Sequence, residues 1–310
     1  MTEIQKYLAE EVAEDFADSI ITRREAMWRL GLLGVTGAAA TGLLAAFASE
    51  PAFASEPAPE AKRKRGRSGS ETDWAAVPTE AITFAGPRGT LMAAWATAEK
   101  PRGGVLVIHE NRGLTDHIRT VAGRFAASGY SALALDLLSE EGGTGAFPGE
   151  AEVAAALAAI DPTRFDVDMQ AGVSELDRRV RSHALCAIGF CFGGGMIWRL
   201  LASGEKRLSA AAPFYGPFPT GGDLRRSRAA VLGAYGGLDA RVNTTLPAAK
   251  AAVEAAGLKH ELLTFSDADH AFFNDTGARF NPHAAAEAWR RTLNWFDAAY
   301  GHHGHDRPGS

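Results

Sequence analysis

Three residues in this chain have the types and spacing for nucleophilic chemistry: Cys191, Asp239 and His270, in that order. Cys191 stands inside Gly189-Phe190-Cys191-Phe192-Gly193-Gly194. A nucleophile held on a sharp strand-to-helix turn needs glycines on either side, because side chains there would strike the neighbouring backbone. Asp239 closes Gly236-Gly237-Leu238-Asp239, and His270 closes Asp267-Ala268-Asp269-His270. A thiolate attacks a carbonyl carbon, an imidazole moves the proton, and a carboxylate orients the imidazole. Singly, each has a plain structural reading, as a small core cysteine, a helix-capping aspartate and a surface histidine. Nucleophile, acid and base in this chain order, each past the end of an apolar run, point to acyl transfer.

Those residues need a frame, and from Trp74 onward strands and helices alternate as in a mostly parallel sheet covered on both faces. Ala81 to Phe84, Leu91 to Ala96, Gly104 to Ile108, Tyr130 to Leu135, Leu185 to Gly189, Ala210 to Phe214, Ala230 to Tyr235 and His260 to Phe265 are expected strands. Thr115 or Asp116 caps a helix with Ile118, Val121, Ala122 and Phe125 on one face. Ser139 to Pro148 is expected as a loop, followed by a helix from about Asp166 to Arg181. Met196, Ile197, Leu200 and Leu201 mark a helix after Cys191, and Leu246 to Ala256 is another. Asn281-Pro282 opens the last, as an N-cap followed by proline at the first helical position. Cys191, Asp239, His270 and the polar run from His109 to Leu114 all follow strand ends, the edge of an open sheet where functional groups collect.

The 310 residues, 46% hydrophobic and 22% charged, have ordinary globular composition, and a net charge of −5 carries no nucleic-acid signature. Thr22-Arg23-Arg24-Glu25-Ala26-Met27 precedes an Ala/Gly/Leu-rich run from Leu30 to Ala48, with small-x-small patterns at Ala46-Phe47-Ala48 and Ala52-Phe53-Ala54. This resembles a twin-arginine export signal. A membrane helix over Leu30 to Ala48 is the rival, with glycines and alanines that make a poor anchor. Lys62-Arg63-Lys64-Arg65 lies in a Pro, Ala and Ser-rich stretch that reads as a linker. The expected organisation is an export signal over 1–54, a linker over 55–75, one domain over 76–302 and a tail over 303–310. Residues 1 to about 75 are thereby set outside the fold. The location implied is periplasmic or extracellular, with the twin-arginine machinery as partner and the membrane met only during export.

His109-Glu110-Asn111-Arg112-Gly113-Leu114, the cysteine turn, Phe214-Tyr215-Gly216, Gly237-Leu238-Asp239 and Asp269-His270-Ala271-Phe272 together resemble the dienelactone hydrolase family, α/β-hydrolases with a cysteine nucleophile. The resemblance covers Trp74 to Tyr300 and implies the α/β-hydrolase fold, with a mostly parallel central sheet and helices on both faces. It implies hydrolysis of an ester or lactone, similar to carboxymethylenebutenolidase, by Cys191, His270 and Asp239. It also places Glu110 beside the cysteine, which rests as a thiol because like-charge repulsion lets such a pair share one proton. The oxyanion would sit on the backbone N–H groups of Phe192 and Asn111, and Arg112, Tyr215, Phe272 and Asn274 would line the substrate pocket. No metal or organic cofactor is implied. Members acting on dienelactone carry an arginine four residues after the histidine, where this chain has Asn274, which cannot form a charged bidentate clamp. Arg112, Arg164 and Arg241 are the alternative cations.

A second reading, from another class, is a catalytically weak binding protein of the cell envelope. Cys186 lies in the same expected strand as the turn carrying Cys191, and at about 3.3 Å per residue the pair is too far apart for a disulfide. Two free thiols are expected.

Overall fold

The computed structural model describes residues 1–49, 74–181 and 184–303. The expected linker (apart from its last two residues), the Ala52-Phe53-Ala54 pattern, the basic run from Lys62 and nearly all of the tail lie outside the described residues.

Three helices open the chain: α1 (Glu3–Ala17), α2 (Arg23–Leu32) and α3 (Gly37–Ser49). Then come β1 (Glu80–Ala85), β2 (Thr90–Ala96), β3 (Gly103–Ile108), α4 (Asp116–Ala127) and β4 (Tyr130–Asp136). They are followed by α5 (Glu150–Ala159), α6 (Pro162–Val180), β5 (Ala184–Phe190), α7 (Phe192–Ala202) and β6 (Leu208–Phe214). The chain ends with β7 (Ala230–Gly236), α8 (Ala240–Asn243), α9 (Leu246–Ala255), β8 (His260–Phe265) and α10 (Pro282–His303).

All eight strands form one sheet in the order β1-β2-β4-β3-β5-β6-β7-β8. β1, β2 and β4 pair antiparallel and the remaining neighbours are parallel. β3, β4 and β5 are buried along their whole length, which is why they read as unbroken apolar runs instead of alternating ones. α4 and α10 share one face, where Phe125 packs on Trp289 and Phe296. α6 and α7 share the other, where Phe165 meets Phe192 edge-on. The α/β-hydrolase architecture is the one expected.

The helix ends follow local chemistry. Thr115 Oγ1 accepts from Ile118 N at the start of α4, and Asn281 Oδ1 accepts from Ala284 N at the start of α10. α6 begins at Pro162, earlier than the expected Asp166, because Asp161 caps it and proline takes the first position. α5 was not expected: its Glu-Ala-Glu-Val-Ala-Ala-Ala-Leu run has high helix propensity but no apolar stripe to reveal it. The expected loop after β4 carries two short 3₁₀ turns, Ser139–Glu141 and Thr144–Ala146.

The largest difference is at the front of the chain. Residues 1–49, set outside the fold by the sequence reading, pack onto the domain through α1 and α2, with α3 against those two helices. The apolar run is broken between α2 and α3, where Gly34 and Gly37 have φ of +78° and +58°. No helix among the described residues is long and apolar enough to cross a membrane.

Candidate active site

Cys191 stands between β5 and α7 with φ +56° and ψ −121°, a conformation rare for a residue with a Cβ. Packing holds it there. A Cβ on Gly189 would lie 2.1 Å from Gly193 O, and one on Gly193 would lie 2.4 Å from Ile108 O. Only glycines let β3, β5 and α7 close this tightly, and the Cys191 N–H donates to Phe214 O at 3.1 Å. Phe192 is the first residue of α7, so its N–H has no intrahelical acceptor.

Asp239 follows β7 and does two jobs. Its Oδ1 accepts from Val242 N at 3.0 Å, capping α8, and its Oδ2 lies 2.6 Å from Nδ1 of His270. The capping and orienting readings of Asp239 are both true of one carboxylate. His270 follows β8 and is 1% exposed, and its Nε2 is buried with no hydrogen-bond partner. An imidazole nitrogen of His270, Cys191 Sγ and a carboxylate oxygen of Glu11 lie within 4.8 Å of one another. Burial works against a charged His270, but the Asp239 carboxylate prevails and raises its pKa well above the ordinary value. Burial likewise disfavours an ionised Asp239, yet the imidazole beside it holds its pKa low. Cys191 and Cys186 are both free and buried, as expected. The cluster of Glu11, Cys191 and His270, and that of Glu14, Asp239 and His270, have donor spacings that could hold a metal ion.

The carboxylate in contact with the thiol is Glu11, while Glu110 lines the same small cavity with Cys191 and His270. Cys191 Sγ lies 3.5 Å from both oxygens of Glu11 and 3.3 Å from Tyr7 Oη, and both partners come from α1. Burial raises the thiol pKa, Glu11 raises it further, His270 opposes them and Glu110 adds to the rise. Burial above all, and the Glu11 carboxylate next, thus favour the thiol over the thiolate. Glu110 accepts from Asn274 Nδ2 at 2.7 Å through Oε2, and its Oε1 is buried without a partner. Asn274 also accepts from the Thr276 hydroxyl through Oδ1.

The other expected residues divide. Arg112, Glu110, Asn111 and Asn274 line a cavity of about 50 Å³ with Cys191 and His270. Asn111 Nδ2 donates to Glu11 Oε1 at 2.9 Å, and Arg112 reaches Glu150 at 3.5 Å. The Tyr215 ring lies 5.4 Å from the His270 ring, with its hydroxyl buried and unpartnered. Phe272 is fully buried against Tyr215 and Phe265, so it supports the site as core and does not line that cavity. Arg164 is paired with Glu141 and Asp168.

Tyr7, Glu11, Glu14 and Asp15 were missed by the sequence reading. Arg241 stacks 4.6 Å over the Tyr7 ring and meets Glu14 at 3.0 Å, and Arg279 meets Asp15 at 2.8 Å. A signal was present: Ile4, Tyr7, Leu8, Glu11 and Val12 recur at i, i+3, i+4, i+7 and i+8, and all are buried. Thr2 and Gln5 form a complete capping box before them.

Residues 91–300 match the model of the dienelactone hydrolase family. A protein of Escherichia coli O157:H7 named "Putative carboxymethylenebutenolidase" is 32% identical over 205 residues, 62% of this chain and 75% of that one. A Salmonella typhimurium protein of the same name is 31% identical over 237 residues, 71% of this chain and 87% of its own. Among solved structures, a dienelactone hydrolase-like promiscuous phosphotriesterase from metagenomic libraries superposes with a TM-score of 0.62 at 26% identity, covering 73% of this chain and 99% of its own. With its strained cysteine turn, its sheet order and a match over most of its length, the chain belongs to the dienelactone hydrolase family.

Proposed function

We propose that the chain hydrolyses ester or lactone bonds through a Cys191 thioester, with His270 and Asp239 as base and orienting acid. The observation that carries this reading is the line Asp239–His270–Cys191. The carboxylate fixes Nδ1 at 2.6 Å, and the free Nε2 is left on the side of a cysteine held on a strained turn. In the first step the neutral form of His270 takes the thiol proton as sulfur attacks the carbonyl carbon. The C–O bond then breaks, and the leaving oxygen takes that proton from the imidazolium. In the second step His270 takes a proton from water, hydroxide attacks the thioester, and the carboxylic acid departs with the thiol restored. The N–H groups of Phe192 and Asn111 are the donors proposed for the oxyanion. The substrate is a small-molecule ester or lactone, and no cofactor takes part.

A panel of short acyl esters and lactones, with Cys191→Ala as blank, tests this. Turnover lost in the blank supports the thioester route, and turnover that survives it contradicts it.

Export by a twin-arginine route is a second element of the proposal. It is supported by Arg23-Arg24 in α2, whose side chains are exposed ahead of the apolar run. Arg23→Lys with Arg24→Lys should keep the protein in the cytoplasm on fractionation. Continued export of the doubly substituted chain would mean another kind of signal.

A further inference from the structure

With α1 in place, the cysteine is almost wholly covered. Cys191 is 1% exposed, and the cavity it lines holds about 50 Å³, whereas small-molecule sites usually hold about 300–1,000 Å³. A second cavity of about 510 Å³ lies next to it, lined by Ile4, Phe192, Met196, Phe218 and Tyr7. Tyr7 lines this larger space while its hydroxyl touches Cys191 Sγ, so its ring stands between the space and the sulfur. Glu11 fills the other side, accepting from Cys191 and from the side chain of Asn111.

We infer that α1 is a built-in inhibitor: the mouth of the active site is a docking surface for the chain's own acidic N-terminal helix, and the enzyme works when that helix leaves. This rests on the hydrolase reading of Cys191 given above. The surface matches its occupant in charge and shape. Arg241 takes Glu14, Arg279 takes Asp15 and Asp18, and the backbone and hydroxyl of Thr220 take Glu3. The apolar stripe of α1 is buried as well, Leu8 and Val12 lying beside Leu33 and Ala151 of the neighbouring helices. Removing α1 would leave Arg241 and Arg279 without their α1 partners beside an uncovered cysteine.

The tether explains how a contact of moderate strength keeps the site shut. A covalently linked segment acts at an effective concentration on the order of millimolar, which is lost once the link is cut and the pieces are diluted. If the open form is about 1% of the molecules, turnover falls about a hundredfold while α1 stays attached. Because α1 lies within the proposed export signal, over 1–54, removal of that signal would also remove the inhibitor.

The test uses the full chain. Leu8→Arg puts a charge on the buried face of α1, and Tyr7→Ala with Glu11→Ala removes the two groups on the sulfur while leaving the apolar stripe. Both are compared with the parent for alkylation of Cys191 by iodoacetamide and for hydrolysis of p-nitrophenyl acetate. Both variants should alkylate at least tenfold faster and hydrolyse the ester faster, and a synthetic peptide of residues 1 to 21 should reverse the gain. Faster alkylation without ester turnover would uphold the inhibitor and count against the hydrolase reading. Unchanged alkylation in both variants, or ester turnover that falls as α1 is loosened, would overturn the inference, the latter by making Tyr7 and Glu11 working parts of the site.

Discussion

α1 and the layer formed by α4 and α10 both pack against the domain, but different forces hold them. The α4 and α10 layer is apolar: Phe125 packs 4.6 Å from Trp289 and 6.0 Å from Phe296, Phe296 meets Tyr130 edge-on, and Trp74 stacks on Phe273. α1 is held by a narrow apolar stripe and by carboxylates on two arginines, Arg241 and Arg279. Burial of large aromatic rings is costly to reverse, and the α1 pairs, on the largely buried Arg241 and Arg279, are also broken only at a cost. α1 differs in that its hold includes a few specific charged contacts that single substitutions can remove.

That contrast can be broken from either side. Phe296→Ala should cost about 3–5 kcal/mol of global stability, because it leaves a cavity in a fully buried aromatic cluster. Chemical denaturation checks it, and a loss below about 1 kcal/mol would mean the layer is not the anchor described here. Arg241→Met, which removes both the Glu14 pair and the cation over Tyr7, should leave the denaturation midpoint nearly unchanged. It should raise the Cys191 alkylation rate about tenfold, equivalent to about 1.4 kcal/mol of helix docking. A midpoint that falls in step with the rise in alkylation would join α1 to the cooperative core.

The thiol supplies a pH test. Burial and Glu11 raise the Cys191 pKa, so alkylation of the parent chain should keep climbing above about pH 8.5, where an ordinary thiol approaches its plateau. Loosening α1 should move the curve to lower pH. The smallest effect belongs to the α4 and α10 layer. Asp275, held to about 2 by hydrogen bonds from His117 and Arg124, gives stability that is present above its ordinary pKa near 3.9 and lost as pH falls toward 2. Solvent screening limits this to about 1 kcal/mol. Asp275→Asn should flatten the acid limb of the stability curve by that amount, as read from denaturation midpoints between pH 5 and pH 2.

The sequence made the sheet and the cysteine turn legible because each depends on local pattern. Apolar runs mark strands buried on both faces, and Gly189 and Gly193 mark the one place where β3, β5 and α7 touch backbone to backbone. Asp239 and His270 were found because each closes a short turn just after a strand. α5 went unseen because alanine gives helix propensity without a stripe. α1 had its stripe and its capping box, but an acidic segment ahead of an arginine pair was read as a leader, and its place over Cys191 joins residues 180 positions apart. The contact of Glu11 with the sulfur was equally hidden. Glu110 itself is held by Asn274, a contact between residues 164 positions apart.

The central claim is that Cys191 carries the acyl group between substrate and water. The direct measurement is rapid acid quenching of the Tyr7→Ala, Glu11→Ala chain during turnover of p-nitrophenyl acetate, followed by mass spectrometry of its peptides. The account predicts an acetyl group on the peptide bearing Cys191 that appears with the first burst of nitrophenol and is lost on alkaline hydroxylamine treatment. Steady turnover with an unmodified Cys191, or acetyl found only on another residue, would contradict it.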